Sequence, residues 1–283
     1  MSCGSWPPRR REAPLHVAIP GSVLSVEHGL QAKTFKAGVI GRALAIYRVD
    51  EVVVYRDPDT SREDQGLLAL LLSYMATPPH LKKKLFPIDE RLRYAGLLPP
   101  LRTPSHEPPV EPRPGAILDG YVEECSGGRC RVNLGLLGEA VLEGSTAKPG
   151  SVVTVRIVSV AGGRVLVERA SWGDIYPGFR VSMAGRLEGV VSRYRKRGYG
   201  ILATSRYGEC LVDEEAKQRV ARMARRPLLV VFGGPRLGVL EYASRSLFDA
   251  TVNFIPWQGV ETVRTEEALH AVLALLNALT PSP

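Results

Sequence analysis

Seven prolines lie between residues 99 and 114, and they divide the chain into parts with different predicted secondary structure. They occupy positions 99, 100, 104, 108, 109, 112 and 114. Proline fixes φ and has no amide hydrogen, so neither a helix nor a central strand continues through such a stretch. We therefore interpret residues 99–114 as a linker at a domain boundary.

Before the linker, strand and helix patterns alternate. LHVAIP (15–20) and VVVY (52–55) have the continuous apolar character of buried parallel strands. Between them apolar residues recur at helical spacing from Ala37 to Tyr47, and a second helix is predicted over 63–76. Residues 1–14 are rich in Pro and Arg without periodicity, and we expect them to be disordered.

Beyond the linker, residues 115–172 read as short strands separated by Gly-rich turns. A chain of this length with this pattern predicts a small OB-like barrel, a frequent platform for single-stranded nucleic acid. A purely structural β-domain is the alternative. Cys125 and Cys130 could face each other across a hairpin, and we expect them to be reduced and half-buried, with a disulfide as the second possibility.

The α/β pattern returns from residue 173. Strands are predicted at 198–205 and 228–234, a helix capped by Asp213 at 213–226, and a long apolar helix at 266–279. We assign Thr265 as the cap of the last helix. One discontinuous α/β domain (15–98 and 173–283) interrupted by an inserted barrel explains this order.

Composition limits the possible functions. The net charge of +8 and the pI of about 9.5 favour a polyanionic partner such as RNA, although the Arg excess also fits high genomic GC content or growth at high temperature. The longest apolar run (67–72) is too short to cross a membrane, and we expect a cytoplasmic protein. The spacing of His and Cys predicts no metal site. A phosphate-binding loop, which a nucleotide-dependent metabolic enzyme would need, does not occur.

The most informative segment is NFIPWQGVETVRTEEALHAVLALLNAL (253–279), whose Asn253, Gln258, Glu261 and Arg264 exceed what a helix cap requires. It resembles the C-terminal knot of SPOUT methyltransferases, in the family that has an OB-like insertion and a Pro-Gly-Gln-Gly…Arg-Thr-Glu-Glu-Ala signature. Trp257 stands where that signature has glycine. The resemblance extends over three further segments: GRALAIYRVDEVVVY (41–55), LATSRYGE (202–209) and LLVVFGGPRLGVLE (228–241).

The resemblance implies a trefoil-knotted α/β domain that dimerises through the knot and binds S-adenosyl-L-methionine in three knot loops. Backbone groups of these loops would contact the cofactor. The residues implied for cofactor binding are Thr204, Gly233, Gly234, Pro235, Gly238, Ile255, Pro256, Gln258, Gly259, Thr262, Val263 and Thr265.

The resemblance also implies a catalytic role for Arg42, which would hold an RNA phosphate or orient the target nucleotide. The general base stays unassigned, since Glu261 and Glu267 fit roles in capping or in stabilising the knot. A basic and aromatic stretch predicts RNA docking through phosphate contacts and base stacking. It contains Arg193, Tyr194, Arg195, Lys196, Arg197 and Tyr199.

Together these patterns predict an S-adenosylmethionine-dependent methyltransferase acting on structured RNA, with ribosomal RNA preferred over tRNA. The alternative is a non-catalytic RNA-binding or ribosome-assembly factor that keeps the knot fold. Cofactor binding separates the two hypotheses.

Overall fold

The structure, a computed structural model, describes residues 6–144 and 147–280. Its strands are β1 (Leu15–Pro20), β2 (Glu51–Arg56), β3 (Ile117–Ser126), β4 (Arg129–Asn133), β5 (Glu139–Glu143), β6 (Val152–Ala161), β7 (Arg164–Arg169), β8 (Arg180–Arg186), β9 (Gly200–Cys210), β10 (Leu228–Val231) and β11 (Ala250–Asn253). Its helices are α1 (Gly29–Ile46), α2 (Arg62–Ala76), α3 (Lys82–Leu85), α4 (Leu187–Lys196), α5 (Glu214–Met223), α6 (Val239–Tyr242) and α7 (Thr265–Leu279).

Six strands form one sheet in the order β11-β9-β10-β1-β2-β8, and every neighbouring pair is parallel. Alternate residues of a strand face opposite sides. Val17 and Ile19 pack into a core with α1, α2, α5 and α7, whereas Ala18 and Tyr55 face α4 and α6. Because helices cover both faces, the central strands are apolar on both sides, as a buried parallel sheet requires.

Helix α2 shows how the local pattern produces this packing. Ser61 caps it by accepting a hydrogen bond from the Asp64 amide at 3.0 Å. Leu68, Leu71 and Leu72 recur at helical spacing and are fully buried against the sheet and α1. Burying one such side chain stabilises the fold by roughly 1.5–3 kcal/mol.

The inserted strands close into a barrel in the order β3-β4-β5-β7-β6. Neighbours are antiparallel except β5 and β7, which are parallel. Five strands in this order form the OB topology, which confirms the predicted OB-like insertion. The barrel strands fall within the predicted range 115–172.

The two cysteines of the β3–β4 hairpin differ from the expectation of a reduced pair. Cys125 and Cys130 are direct partners in the antiparallel register, and their sulfurs form a disulfide. The hairpin places the two side chains next to each other, so the bridge needs no rearrangement of the backbone.

The proline-rich linker lies along the helices of the α/β domain. The Cδ of Pro99 is 2.8 Å from where a Cβ on Gly38 of α1 would be, so the linker packs closely on that helix. The His106 ring contacts the carbonyl of Met75 at 2.8 Å. The barrel itself is attached near α3, where His80 meets the Asp119 carbonyl at 2.8 Å.

The described part of the N-terminus is bound to the body, in contrast to the disorder predicted for residues 1–14. Arg9 forms an isolated bridge with Ile175, and the Arg10 amide donates to the Asp174 carbonyl at 2.6 Å. The Arg10 guanidinium pairs with Asp50 at 3.2 Å. Residues 1–5 lie outside the described residues.

The segment between β11 and α7 contacts the loop that follows β10 just where α7 begins. The Thr265 hydroxyl donates to the Gly233 carbonyl at 3.0 Å, and α7 then packs on α1. Thr265 is therefore not the cap of α7, and the prediction that it caps this helix is wrong. The first residue before the helix is Arg264, whose amide donates to the Glu267 carboxylate at 2.9 Å. Of the helices described, none is long and apolar enough to cross a membrane.

Candidate active site

A cleft lies at the carboxyl ends of β9, β10 and β11. It is bounded by residues 204–207, 232–241 and 252–265, and we call it the carboxyl-edge cleft. In open α/β sheets, ligands bind at this edge, because the loops that follow neighbouring strands converge there. The floor is apolar, formed by Phe232, Val252, Phe254, Ala268 and Val272.

Two glycines in the loop after β10 are required by close packing. A Cβ on Gly233 would lie 2.7 Å from the Val239 amide nitrogen. A Cβ on Gly234 would lie 2.6 Å from both Asp57 Oδ2 and Ser22 Oγ. The Ser22 hydroxyl donates to Asp57 at 2.6 Å, and both residues are buried. The loop therefore rests on a fixed polar support.

Tyr55 fixes the beginning of the same loop. Its hydroxyl is 2.6 Å from the Phe232 carbonyl oxygen and 2.5 Å from the Tyr242 hydroxyl. Burial raises the pKa of Tyr55 well above its usual 10. Its phenol therefore stays protonated and keeps its hydrogen-bond donor at physiological pH.

Polar side chains fix the third loop, residues 253–265. Asn253 Oδ1 accepts from the Ile255 amide at 3.0 Å, and its amide group donates to the Arg206 carbonyl at 3.1 Å. Gln258 donates to the carbonyls of Val260 and Glu261. The Arg206 guanidinium donates to the Glu261 carbonyl at 2.7 Å. Asn253 and Gln258, two of the polar residues that exceeded the needs of a helix cap, thus hold this loop in shape.

Trp257, at the position where the signature has glycine, adopts a φ of +54°. The loop therefore has a left-handed residue there, although a side chain is present. This conformation is unfavourable for a bulky residue, by roughly 1–3 kcal/mol. The Trp257 side chain is 85% exposed.

The cleft contains two carboxylates, and they differ in their contacts. Glu241 accepts a hydrogen bond from the Gly238 amide at 2.6 Å, so it stabilises the loop. Glu261 is exposed, and its carbonyl rather than its carboxylate takes part in the loop hydrogen bonds described above. Arg236, also exposed, adds a positive charge to the rim.

All of the predicted cofactor residues line the cleft except Pro256 and Gly259. Those that do are Thr204, Gly233, Gly234, Pro235, Gly238, Ile255, Gln258, Thr262, Val263 and Thr265. The sequence analysis missed the apolar floor and the supporting residues Ser22, Tyr55 and Asp57. Apolar character alone could have indicated the floor, but no local pattern marks the supports, which come from distant parts of the chain.

Arg42 is not among the residues that line the cleft. Its Nη1 donates to the carbonyls of Pro100 and Leu101, at 3.1 and 2.9 Å, and so attaches the linker to α1. A guanidinium has five N–H donors, and the nitrogens Nε and Nη2 are not used in these contacts. The predicted catalytic role of Arg42 stays a prediction.

The basic and aromatic stretch 193–199 begins on α4, and one prediction for it is wrong. Tyr194 cannot stack on an RNA base, because its side chain is fully buried and bonded to His16 Nδ1 at 2.9 Å. The hydroxyl of Tyr199, which is half-buried, is 3.2 Å from His16 Nε2. Arg195 binds Asp249 at 3.2 Å. The basic side chains at 193, 195, 196 and 197 remain exposed and could contact phosphate.

His16, which lies beneath these tyrosines, has an abnormal pKa. Burial lowers the pKa of His16 to about 4, and the nearby Arg197 and Arg180 act in the same direction against the opposing effect of Glu51. His16 is therefore neutral at physiological pH. The cluster lies near the amino ends of the strands, at the edge opposite the cleft.

Comparison with known proteins shows which family this chain belongs to. A model of the family described as "Putative RNA methyltransferase" matches residues 14–276. An uncharacterised protein of Halobacterium salinarum is 35% identical over 287 residues, covering 93% of this chain and 98% of that protein. The human 28S rRNA (uridine-N(3))-methyltransferase is 32% identical over 308 residues, covering 95% of this chain and 79% of that protein.

A solved SpoU methyltransferase from Streptomyces viridochromogenes, in complex with AdoMet, aligns with a TM-score of 0.39 and 13% identity over 96% of this chain and 59% of that chain. The parallel sheet, the carboxyl-edge cleft and the inserted barrel define an α/β protein with an OB-like insertion. The chain belongs to the RNA methyltransferase family whose model it matches over nearly its whole length.

Proposed function

We propose that this enzyme transfers a methyl group from S-adenosylmethionine to N3 of a uridine in large-subunit ribosomal RNA, with the cofactor held in the carboxyl-edge cleft. The observation that carries the proposal is the convergence of three loops, distant in sequence, on one cleft. The uridine-N(3) activity of the human relative supports the choice of atom and RNA.

The cleft suits the proposed cofactor. Its apolar floor matches the adenine ring, and the loop backbones at 233–238 and 255–263 offer donors and acceptors for the ring edge, the ribose and the amino-acid end. Ile255 and Val263 would form the apolar walls around adenine. When bound, S-adenosylmethionine supplies an electrophilic methyl group.

Methylation at N3 requires that the ring nitrogen lose its proton. We assign Glu261 as the acceptor, because the other carboxylate of the cleft, Glu241, is bonded to the Gly238 amide. A carboxylate near the reacting atom accepts the proton as the new N–C bond forms. Glu267, which bonds the Arg264 amide, serves α7 instead.

The test combines cofactor binding with product identification. Ligand that binds only the folded state raises its stability by about 2.7 kcal/mol at a concentration 100 times Kd, so thermal melts with S-adenosylmethionine should shift upward. Unmodified large-subunit rRNA incubated with enzyme and cofactor should yield 3-methyluridine by mass spectrometry of nucleosides. Glu261→Gln should bind the cofactor normally but methylate more slowly.

Three outcomes would contradict parts of the proposal. Binding of rRNA without cofactor binding would support the non-catalytic assembly factor. Another methylated nucleoside would overturn the choice of atom. Full activity of Glu261→Gln would remove Glu261 from the mechanism while leaving the activity itself established.

We also propose that the enzyme acts as a homodimer in which a second copy covers α1. Phe35 and Ile46 are 65% and 49% exposed, and Arg42 lies between them on the same side of the helix. Arg42 and Ile46 follow Phe35 by 7 and 11 positions. At about 100° per residue these spacings are close to two and three whole turns, so the three side chains share one side of the helix. Large apolar side chains aligned in this way are typical of an interface.

Light scattering at micromolar concentration tests the dimer. The unaltered chain should have twice the mass of one chain, and Phe35→Glu should shift it towards the monomer because a charge would be buried in the interface. Val212→Glu is the matched control, since Val212 is 55% exposed in the turn after β9. A monomeric unaltered chain would contradict the proposal.

A further inference from the structure

Trp257 combines two features that the contacts within this chain do not explain. It is a bulky residue in the left-handed region of φ, and its side chain is 85% exposed among the described residues. Glycine at this position would relieve the backbone strain. Since so little of the ring is buried, packing within the chain returns little of that free energy.

The position of Trp257 connects it with the cleft. Ile255 and Gln258, which precede and follow it in the loop, both line the cleft, so Trp257 belongs to a segment that borders the cleft. The hydrogen bonds of Gln258 to two loop carbonyls fix the backbone on which the ring stands. The ring is therefore held outward by an ordered loop.

A neighbouring segment of the rim has similar chemistry. Tyr207 also lines the cleft and is 61% exposed, and the Arg206 guanidinium lies 4.8 Å above its ring. Arg236 is exposed on the loop after β10. Exposed aromatic rings combined with arginines match the chemistry of a single-stranded nucleic acid, whose bases stack and whose phosphates are negative.

We infer that Trp257 is a stacking platform for an RNA base at the mouth of the carboxyl-edge cleft, and that it holds the target uridine or its neighbour in place for methylation. This inference rests on the proposed function. A base cannot react while it is stacked in a duplex, so an enzyme that modifies it has to hold it outside the stack. An aromatic ring at the rim replaces the stacking that the base loses.

Fluorescence tests the contact directly. The chain has three tryptophans, so Trp6→Phe with Trp172→Phe leaves Trp257 as the reporter. Its thermal melt should first show that this double variant is folded, because Trp172 donates a hydrogen bond to Asp119. Addition of single-stranded RNA that contains the target uridine should quench the emission of Trp257.

Substitutions separate stacking from a structural role. Trp257→Gly should lower RNA affinity by about tenfold or more, the range seen when a stacking aromatic is removed. It should keep cofactor affinity, and its melting temperature should be equal or higher because the φ strain is relieved. Trp257→Phe should retain most of the RNA affinity. Val260→Ala is the control, because Val260 is an exposed apolar residue of the same loop without a ring.

The outcomes also distinguish this inference from the proposed function. If Trp257→Gly binds and methylates RNA like the unaltered enzyme, the stacking role is wrong although the activity stands. If Trp257 emission changes with protein concentration but not with RNA, a second copy covers the ring and the inference fails. If the unaltered enzyme methylates no RNA, the proposed function fails, and a normal RNA affinity of Trp257→Gly would then overturn the stacking role as well.

Discussion

Gly234 shows how the absence of a side chain positions the loop after β10. Its Cα faces Asp57 and Ser22, which are bonded to each other and buried. Gly234→Ala should therefore destabilise the fold by about 1–3 kcal/mol and weaken cofactor binding, because the loop must move to make room for the methyl group.

Thermal melts with and without S-adenosylmethionine measure both effects. Gly96→Ala is the matched control, since a Cβ at Gly96 meets no atom within 4 Å and Gly96 lies outside the cleft. Equal behaviour of the two variants would show that the support under Gly234 is not rigid.

Arg42 has an observed contact and a predicted catalytic role, and kinetics can separate them. If Arg42 acts only through the linker carbonyls, Arg42→Ala should lower the melting temperature, and transfer should fall no further than stability explains. We expect the larger effect on transfer, at least tenfold in kcat, because Nε and Nη2 are available to an RNA phosphate. Pre-steady-state transfer measured well below the melting temperature decides between these roles.

His16 should make the stability of the fold depend on pH. Its folded-state pKa is about 4, below the ordinary value of 6.5, because it is buried. Between these values the unfolded chain binds a proton that the folded chain does not, so the free energy of unfolding falls as the pH decreases from about 6.5 to about 4. The loss should be at most about 3 kcal/mol.

Urea titrations at pH 7, 5.5 and 4.5 measure this dependence. His16→Gln keeps a polar group near Tyr194 and Tyr199 but does not titrate, so its slope over this range should be smaller. An unchanged slope would mean that carboxylates elsewhere cause the acid sensitivity.

The residues of the cleft were predictable only in part. The loop residues followed from a recognisable signature, whereas Tyr55, Asp57 and Ser22 reach the loop after β10 through hydrogen bonds or close contacts that join distant segments. The prediction for Tyr194 was wrong for a related reason. The local sequence placed this residue among the RNA-binding residues, but the fold buries its side chain in the core.

At the level of elements, segments with a clear helical period or a continuous apolar run were predicted well, although the prediction for α1 began at Ala37 and the helix begins at Gly29. The predicted helices over 63–76 and 266–279 are α2 and α7, with ends that agree within one residue. By contrast, β8, β11 and α4 were missed. The strand β11 has only four residues, too few for a period to be visible. Helix α4 does bury Leu187, Val190 and Val191 at helical spacing, but its many charged residues dominated the pattern.

Helix α4 provides the element-scale prediction. Arg193 and Lys196 are exposed on it, whereas Arg195 is engaged with Asp249. The double variant Arg193→Ala with Lys196→Ala should bind RNA more weakly. The slope of log K against log salt should decrease by about one unit for each RNA phosphate that the variant no longer neutralises.

The control for α4 removes the same charge elsewhere. Arg222 and Arg225 are exposed at the end of α5, which packs on the opposite face of the sheet. Their replacement by alanine should leave the salt slope unchanged. If both double variants behave alike, only net charge matters and α4 is not a docking surface.

At the level of the whole molecule, the sequence predicted the class of each part and the position of the insertion. The strand order could not be predicted, because β1 lies between β10 and β2, and its partner β10 is more than 200 positions away. No local pattern encodes such a pairing. It is selected by the burial of both faces of every central strand.

This pairing has a consequence for synthesis on the ribosome. Leu15 of β1 pairs with Leu228 of β10, so at about 5–20 residues per second the nascent chain waits roughly 10–40 s before its first strand finds that partner. The strands of the barrel pair only with one another, within Ile117–Arg169, so the barrel can fold while β1, α1 and β2 are still without most of their sheet.

On ribosomes stalled after the barrel has emerged but before β10 is made, a protease should therefore cut the early α/β segments and leave the barrel intact. Equal cutting of both would contradict this order. We therefore expect the insertion that interrupts the sheet to be the first part of the molecule to fold, while the apolar strands made before it lack most of their partner strands until the last third of the chain is made.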